Sequence, residues 1–425
     1  MKVKSLYIYC LVIFFFSACH PKKTVFAEVT DLPKDEISRV QENSEATLQK
    51  PYVILISLDG FRYDYAKRFG ATNLLNFDVK ADKMISSFPT KTFPNHYAIA
   101  TGLYPGNHGL VSNSFYNPKR EEHYRIRNRD VVRNKEYYKG TPLWVLASQQ
   151  EMVSASMFWV GSEAPIKDMY PTYYFNYNGR VTNEQRVNQA VEWLKLPEEK
   201  RPHFITMYFS LADDIGHKFG PNSPEIETTV KQLNATIGDL ISKTKKLNLP
   251  INFVVVSDHG MQEVDVDNVI YYKEMIPKRA IVSASFPLMV YSKDSKLIDS
   301  LYTNFKKDST RINVYLKSNM PKHYHYNVED DRVGDLIVMP KPPYTFGSRS
   351  RPFNKGSSTH GYDPTESEEM GAIFYATGPA FKKNKQIEAF ENIHIFPLVS
   401  EILELDYSHL TIDGNKEVLE NIIKE

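Results

Sequence analysis

The stretch Tyr52-Val-Ile-Leu-Ile-Ser-Leu58 decides the fold, because it is almost wholly apolar and rich in β-branched side chains. An unbroken run of this kind is typical of a strand that is buried on both faces of a parallel sheet. The run ends directly in Asp59-Gly60. We therefore expect Asp59 to stand at the edge of a central sheet.

Two further apolar runs, at 203–209 and 251–256, end in the same way. Asp213 follows the first run and Asp258 follows the second. Binding sites in open α/β sheets lie beyond the carboxyl ends of the parallel strands. These acids are therefore expected to converge with Asp59, although they are far apart in the sequence.

The rest of the chain predicts an α/β fold with an insertion, because strands that alternate with helical periods form a parallel sheet. Residues 262 to about 350 break this rhythm with short apolar pieces and with loops rich in proline and aromatic residues. The other predicted elements are helices at 182–196, 224–247, 293–307 and 392–405 and a strand at 371–376. We expect a mostly parallel central sheet flanked by helices, with a small inserted α+β lobe.

The composition of the chain limits the classes of function that it can have. The 425 residues are 42% hydrophobic and carry a formal net charge of +1, which allows a large core and gives no reason to expect a nucleic-acid polymer as partner. The sequence has no G-x-x-x-x-G-K-[ST] phosphate loop, so ATP-driven chemistry is not indicated. Both cysteines, Cys10 and Cys19, lie near the N-terminus, so the body offers no thiolate metal site. No obligate protein partner is indicated.

The N-terminus resembles an export signal. Lys2 and Lys4 precede the apolar stretch LYIYCLVIFFFSA, and the residues up to Cys19 read Phe-Ser-Ala-Cys, as in a bacterial lipobox. We expect a lipid on Cys19 that anchors the protein to a bacterial membrane, on its periplasmic or cell-surface face; an ordinary secretory signal or a membrane anchor is the alternative. The predicted organisation is a signal peptide at 1–18, a polar tether with little structure at 19–50, and a catalytic domain at 51–425 with the lobe inserted at about 262–350.

Residues 84–113, MISSFPTKTFPNHYAIATGLYPGNHGLVSN, combine hydroxyl side chains with a helix start. Thr90 and Thr92 precede Pro94, and a proline in the first turn is typical of a helix N-terminus. A hydroxyl there lies at the positive end of the helix dipole, where backbone N–H groups can also hold phosphate oxygens. This placement suits a nucleophile that attacks an anionic ester. The alternative is a threonine that caps the helix.

Six carboxylates and imidazoles in the predicted loops and strand ends are of metal-ligand type, enough for three protein ligands on each of two catalytic zinc ions. They are Asp59, Asp213, His217, Asp258, His259 and His360. A tight turn is expected to let Asp213 and His217 face one ion. Residue types alone leave further candidates open. These are His96, His108, Asp214 and Asp363.

Six motifs together resemble the nucleotide pyrophosphatase/phosphodiesterase family of the alkaline phosphatase superfamily, and the lipobox is similar to that of a bacterial lipoprotein-type member. The motifs are SLDGFR, PTKTFPNHY, TGLYPGNHG, DIGHKFGP, SDHGM and THGYDP. The likeness runs from about residue 52 to about residue 393. It implies an alkaline phosphatase-like fold.

The resemblance also implies a site with two Zn²⁺ ions. Thr92 is the implied nucleophile, and Asn113 is the implied donor to a non-bridging phosphate oxygen. One zinc is assigned to Asp213, His217 and His360, and the other to Asp59, Asp258 and His259 with the Thr92 hydroxyl beside it. The residues with an implied structural role are Thr90, His96 and His108.

The implied reaction is the hydrolysis of nucleotide pyrophosphates or phosphodiesters through a covalent threonine intermediate, with release of nucleoside 5′-monophosphates. Phe93 and Tyr177 match the family's residues that sandwich a nucleobase, and Trp159 and Glu163 are expected to line the same pocket. The alternative for Tyr177 is packing, since aromatic residues usually serve the core. The expected partner is a small nucleotide or phosphodiester.

Three other functions remain open. A phosphomonoesterase of the same superfamily needs an arginine or a further metal for the extra phosphate charge, and the motif around Thr92 contains no arginine. A sulfatase needs a Cys or Ser in a C/S-x-P-x-R setting, which TKTFPN does not provide. A lipoprotein that binds a nucleotide or a glycan without turnover has no need of a nucleophile and six metal donors.

Overall fold

The computed structural model describes residues 40–326 and 329–424. In these residues the α-helices are α1 Glu45–Leu48, α2 Tyr65–Arg68, α3 Thr72–Leu75, α4 Thr92–Thr101, α5 Pro105–His108, α6 Arg129–Val132, α7 Leu143–Gln149, α8 Asn183–Leu194, α9 Leu211–Phe219, α10 Pro224–Lys245, α11 Ser295–Lys306 and α12 Ile395–Ile402. The strands are β1 Tyr52–Leu58, β2 Val79–Ala81, β3 Met84–Ile85, β4 Ser114–Asn117, β5 Glu122–Arg125, β6 Ser154–Met157, β7 Tyr173–Tyr174, β8 Phe204–Phe209, β9 Ile251–Val256, β10 Gln262–Glu263, β11 Ile281–Ser283, β12 Leu288–Tyr291, β13 Ile312–Leu316, β14 Leu336–Pro340, β15 Ser358–Thr359, β16 Phe374–Thr377, β17 Lys385–Ile387 and β18 Phe390–Glu391.

The central sheet has eight strands in the order β17-β2-β16-β9-β1-β8-β6-β7. β1 lies between β8 and β9 and runs parallel to both, with Ile54 opposite Ile205 on one side and Phe253 on the other. β16 runs antiparallel to β9. The expected fold, a mostly parallel central sheet of alkaline phosphatase-like type, is confirmed.

All residues of β1 are buried, and they alternate between two cores. Val53 and Leu55 belong to the core on the face that carries α7 and α12. Ile54 and Ile56 belong to the core on the opposite face, which carries α8 and α10. Each buried aliphatic side chain contributes about 1.5–3 kcal/mol, so the apolar run makes β1 the centre of the sheet.

The inserted segment carries its own antiparallel sheet in the order β11-β12-β14-β13, with α11 packed on one face. α11, Ser295–Lys306, coincides with the helix predicted at 293–307. Outside this sheet, β10 pairs with β15 through Gln262 opposite Thr359. The chain leaves the body after β10 and returns to it at β15, next to β10. The returning strand ends directly before His360.

Residues 40–50 pack against the body, in contrast to the expectation of little structure. The side chain of Asn43 donates to the carbonyl oxygens of Glu198 and Arg201 and accepts a hydrogen bond from the Val153 amide. The predicted signal peptide, Cys19 and the first part of the tether lie outside the described residues. In the described part of the chain, no helix has both the length and the apolar character that crossing a membrane requires.

Candidate active site

Thr92 is the first residue of α4, and its hydroxyl contacts a predicted metal ligand. The hydroxyl oxygen lies 3.3 Å from Nε2 of His259. The N-cap position belongs to Lys91, not to Thr92, and no side chain caps the helix there. Pro94 stands in the first turn, as the sequence predicts. The alternative of a threonine cap is therefore wrong, and the hydroxyl lies next to predicted metal donors.

Asn113 is oriented by the same helix start. Its Oδ1 accepts the backbone N–H of Phe93 at 2.9 Å. A backbone N–H can only donate, so the amide oxygen of Asn113 must face it. The NH₂ group of Asn113 is then left to donate to a ligand beside Thr92.

The six predicted metal ligands form two groups, and within each group the candidate donor atoms lie within 4.8 Å of one another. The groups are Asp213, His217 and His360, and Asp59, Asp258 and His259. The rings of His259 and His360 stack with their centroids 3.6 Å apart. The two groups therefore adjoin each other, as a two-metal site requires.

The three histidines each have their Nδ1 position fixed by a backbone carbonyl. The pairs are His217 with Ser358 O at 2.9 Å, His259 with Gly260 O at 2.9 Å, and His360 with Thr90 O at 2.8 Å. A carbonyl accepts, so Nδ1 carries the proton and Nε2 is left with its lone pair. This is the tautomer that metal-ligating histidines adopt when a second group orients the ring.

Two of the three carboxylates, those of Asp59 and Asp258, likewise have one oxygen held by a hydrogen bond and the other without a partner. Asp59 Oδ2 accepts the hydroxyl of Tyr208 at 2.5 Å, and Asp258 Oδ1 accepts the N–H of Gly60 at 3.1 Å. Asp59 Oδ1, Asp213 Oδ1 and Asp258 Oδ2 are buried and have no donor in hydrogen-bonding geometry among the described residues. Bare oxygens of this kind beside free imidazole nitrogens fit divalent metal ions, and the mixed nitrogen and oxygen set suits zinc.

Burial and mutual repulsion perturb these acids strongly. Burial, followed by the charges of Asp258 and Asp213, raises the pKa of Asp59 well above its usual value. Burial acts on Asp258 in the same direction, but His259 and His96 outweigh it and hold the pKa of Asp258 well below its usual value. A bound cation would relieve the repulsion among these carboxylates.

Asp213 and His217 face the same way because they are one helical turn apart on α9. The predicted tight turn is therefore wrong. Gly216 lies inside this helix, where a Cβ atom would come within 3.1 Å of the Met261 side chain. Gly60 has a φ of 67°, and a Cβ atom on it would lie 2.8 Å from the Asp213 backbone. A glycine directly after Asp59 thus lets α9 bring Asp213 close to Asp59.

The four candidates that residue types left open lie outside both groups. His108 is buried, donates to Pro94 O and accepts from the Leu110 amide. His96 lies closer to the site, with Nδ1 2.8 Å from Thr92 O and 3.4 Å from Asp258 Oδ2. Asp214 accepts from Ser210, and Asp363 accepts from Tyr324.

A cavity of about 360 Å³ opens beside Thr92 and contains the predicted base-binding residues. Phe93 and Tyr177 both line it. Tyr177 is 39% exposed, and its ring packs against Phe158 and Tyr208 at centroid distances of 5.4 and 6.2 Å. An aromatic ring that stays this exposed in a cavity can stack on a ligand, so the packing alternative does not account for Tyr177.

Trp159 and Glu163 also line this cavity, but their polar atoms are already engaged. The indole N–H of Trp159 donates to His96 O at 3.0 Å. Glu163 Oε1 accepts from Arg129 and from the Tyr177 amide, and Oε2 accepts from Arg133 at 3.2 Å. Both residues therefore shape the cavity wall.

Tyr208 is a site residue that the sequence analysis missed. It lies on β8, lines the cavity, and its hydroxyl bonds to Asp59. Tyrosine is common in this chain, and no motif surrounds Tyr208. The only available signal is its place next to the end of a predicted strand that leads to the site.

Comparison with known proteins agrees with this geometry. The family model described as type I phosphodiesterase / nucleotide pyrophosphatase matches residues 53–363. Human ectonucleotide pyrophosphatase/phosphodiesterase family member 1 is 32% identical over 378 residues, which is 85% of this chain and 40% of that protein. Venom phosphodiesterase 2 of Crotalus adamanteus is 33% identical over 415 residues, which is 91% of this chain and 50% of that protein. The chain thus spans half or less of the length of these relatives.

Comparison with a solved structure also shows a similar fold. An inactive variant of murine ectonucleotide pyrophosphatase/phosphodiesterase 5, in complex with AMP, aligns with a TM-score of 0.82 and 28% sequence identity. The alignment covers 88% of this chain and 100% of that chain.

Proposed function

The chain belongs to the type I phosphodiesterase / nucleotide pyrophosphatase family, and from this premise we propose that it hydrolyses nucleotide pyrophosphate or phosphodiester bonds and releases nucleoside 5′-monophosphates. The observation that carries the proposal is the Thr92 hydroxyl at the start of α4, beside six convergent metal-donor side chains and an aromatic cavity.

We propose that the two donor groups hold two zinc ions. When bound there, the ions would supply Lewis-acid stabilisation of the Thr92 oxygen and of the leaving oxygen. The protein's part is to keep each donor atom in place before the metal arrives. The carbonyl partners of the three imidazoles and the anchored oxygens of Asp59 and Asp258 support this role.

Thr92 is the proposed nucleophile. Its hydroxyl gives up a proton to solvent and its oxygen forms a bond to phosphorus in line with the leaving group, while the bond from phosphorus to the leaving oxygen breaks; this leaves a nucleotidyl ester on Thr92. Water then attacks phosphorus from the vacated side and loses a proton, the ester bond to Thr92 breaks, and the Thr92 oxygen takes up a proton to restore the hydroxyl. Throughout, the NH₂ group of Asn113 donates to a non-bridging phosphate oxygen, which gains negative charge in the transition state.

The substrate is proposed to be a small nucleotide whose base stacks on Phe93 and Tyr177. Stacking accepts any base, because every base has a π-face. The murine relative's complex with AMP supports a nucleotide as the ligand. Trp159 and Glu163 complete the proposed cavity wall.

We also propose that the protein is exported and lipid-anchored through Cys19 to a bacterial membrane. The lipobox-like end of residues 1–18 supports this location. In this proposal the tether predicted at 19–50 ends before residue 40, because residues 40–50 pack against the body. The catalytic domain predicted at 51–425, with the lobe at about 262–350 inserted in it, follows. Substitution Cys19→Ser should move the protein from the membrane fraction to the soluble fraction, and unchanged fractionation would contradict the anchor.

The decisive experiment compares the p-nitrophenyl ester of thymidine 5′-monophosphate with p-nitrophenyl phosphate. We expect the zinc-loaded protein to prefer the diester and to lose this activity in Thr92→Ala and after chelation. Thr92→Ser is the matched variant, since it keeps the hydroxyl and should retain part of the activity.

The other outcomes point to different functions. A preference for the monoester would indicate a phosphatase. Absence of cleavage of either ester by folded, zinc-loaded protein would indicate a binding protein. Full activity of Thr92→Ala would remove Thr92 as the nucleophile.

A further inference from the structure

We propose that the cavity beside Thr92 contains an anion subsite, formed by Arg127 and Arg129, for a second phosphate on the nucleoside half of the substrate. This inference rests on the proposed nucleotide hydrolysis and names its substrate class. The preferred substrates would be nucleotides that carry a phosphate at the 2′ or 3′ position in addition to the 5′ phosphate.

Three carboxylates line the cavity: Asp59 and Asp213 belong to the two metal-donor groups, and Glu163, beside Tyr177, is already engaged. Glu163 is 6% exposed and accepts hydrogen bonds from the guanidinium groups of Arg129 and Arg133 and from the Tyr177 amide. It therefore has little capacity left to bind a substrate donor. Away from the metal-donor groups, the charged side chains that line the cavity and can still make polar contacts are the guanidinium groups of Arg127 and Arg129.

Arg127 lines the cavity and is exposed. Its guanidinium makes no ion pair and no hydrogen bond with the described residues. Surface arginines without a partner are common, but this one borders the space that holds Thr92 and Tyr177. A ligand in the cavity would come within its reach.

Arg129 adds a second guanidinium with spare donors. Only its Nη2 is engaged, by Glu163, while its Nε is buried and has no acceptor among the described residues. A buried donor without a partner is costly and is usually explained by a missing ligand or water. The guanidinium carbon lies 5.9 Å from the ring centroid of Tyr177, so its spare donors are next to the proposed stacking ring.

The surroundings of Tyr177 strengthen the positive potential. Arg186 is buried behind the cavity, with its guanidinium 5.1 Å from the ring centroid of Phe158. It donates to the carbonyl oxygens of Val181 and Tyr208 and forms no ion pair within the described residues. The nearby carboxylate of Asp214 is engaged by Ser210. Away from the metal-donor groups, cationic side chains thus outnumber the anionic ones around Tyr177.

A plain nucleoside does not use this charge, because the common bases and ribose are uncharged at neutral pH. A guanidinium has a planar set of donors that matches the oxygens of phosphate, and such charge-assisted hydrogen bonds are stronger than neutral ones. A phosphate on the ribose would therefore complete the interactions of Arg127 and Arg129.

The test measures the binding of reaction products by calorimetry on the zinc-loaded wild-type protein. The ligands are AMP, adenosine 3′,5′-bisphosphate and adenosine 2′,5′-bisphosphate, and the two bisphosphates show which ribose position the subsite reads. We expect one bisphosphate to bind at least about tenfold tighter than AMP, the effect of one hydrogen bond to a charged group. Because Arg127 is exposed, this preference should shrink at high salt.

The variant Arg127→Ala should lose most of the preference while its affinity for AMP changes less than about twofold. Arg125→Ala is the matched control, because Arg125 is also an exposed arginine of this segment but does not line the cavity. Equal binding of all three ligands, or an unchanged preference in Arg127→Ala, would overturn the anion subsite and leave the hydrolysis of nucleotides intact. Failure of every ligand to bind, together with absence of diester hydrolysis, would overturn both proposals.

Discussion

Removal of the Tyr208 hydroxyl should weaken metal binding at Asp59 without disturbing the fold. The hydroxyl donates to Asp59 Oδ2 at 2.5 Å, and Asp59 Oδ1 is then the oxygen left for a metal. Burial first, and the neighbouring charge of Asp59 second, raise the pKa of Tyr208 well above its usual value. Tyr208 is therefore a neutral donor at neutral pH, and Tyr208→Phe removes that donor while keeping the buried ring.

The expected loss follows from the place of this hydrogen bond. Loss of a group that orients a metal ligand typically lowers metal affinity by about 10–100-fold. This range equals about 1.4–2.7 kcal/mol, close to the 1.5–3 kcal/mol assigned to a hydrogen bond with a charged group. Asp213, His217 and His360 have no contact with this hydroxyl, so we expect only one of two zinc equivalents to weaken.

The assay is a titration of metal-free protein with zinc in competition with a chromophoric chelator. Tyr177→Phe is the control, because it also removes a tyrosine hydroxyl near the cavity but none that bonds to a metal donor. The reasoning is refuted if Tyr208→Phe binds both zinc equivalents within about twofold of wild type. Equal weakening in Tyr177→Phe would refute it as well, since the effect would then not depend on Asp59.

Three further outcomes are expected. Chelation should lower the melting temperature measured by calorimetry, because an ion present at 100 times its Kd stabilises the folded state by about 2.7 kcal/mol. An unchanged melting temperature would contradict metal binding by the folded protein. Tyr177→Ala should raise the KM for nucleotide esters about 5–100-fold through the loss of stacking, whereas Tyr177→Phe should leave KM near wild type, and equal KM values would contradict the stacking role. Burial lowers the pKa of His108 to about 3, so the unfolded chain binds a proton below its pKa of about 6.5 that the folded protein does not bind. The free energy of unfolding should therefore fall as pH drops, and His108 alone should lower it by about 1.4 kcal/mol at pH 5.5. When unfolding in urea is measured at pH 7.5 and 5.5, the free energy of His108→Gln should fall by about 1.4 kcal/mol less than that of wild type, and an equal fall would contradict the role of His108.

The sequence was sufficient to predict the sheet and the convergence of the strand-end acids. The run Tyr52–Leu58 is long, apolar and β-branched, and only a central strand buries such a run on both faces. Once it is placed in a parallel sheet, Asp59 and Asp258 must lie at the same edge. The carboxyl ends of parallel strands lie at one edge of any open α/β sheet, so the convergence of Asp59 and Asp258 can be predicted from a single sequence.

Features that depend on tertiary packing could not be predicted in this way. A tight turn was predicted between Asp213 and His217, yet α9 runs through both residues, with Gly216 packed closely against the Met261 side chain. Glu163 lines the cavity as expected, but its ion pairs with Arg129 and Arg133 could not be foreseen, because the sequence pattern does not give the position of α6. Side-chain partners of this kind depend on distances between elements, which periodicity does not encode.

The residues before the nucleophile explain how Thr92 and the metal donors keep their relative positions. Thr90 O accepts Nδ1–H of His360, and the Thr90 hydroxyl donates to Tyr362 O and accepts the Gly361 amide. The ammonium group of Lys91, buried beside them, donates to His360 O at 2.6 Å. The two segments are therefore joined by hydrogen bonds immediately before Thr92 and around His360. Since α4 begins at this junction, a change that loosens it must displace the nucleophile and a metal donor together, so that metal affinity and turnover fall in parallel.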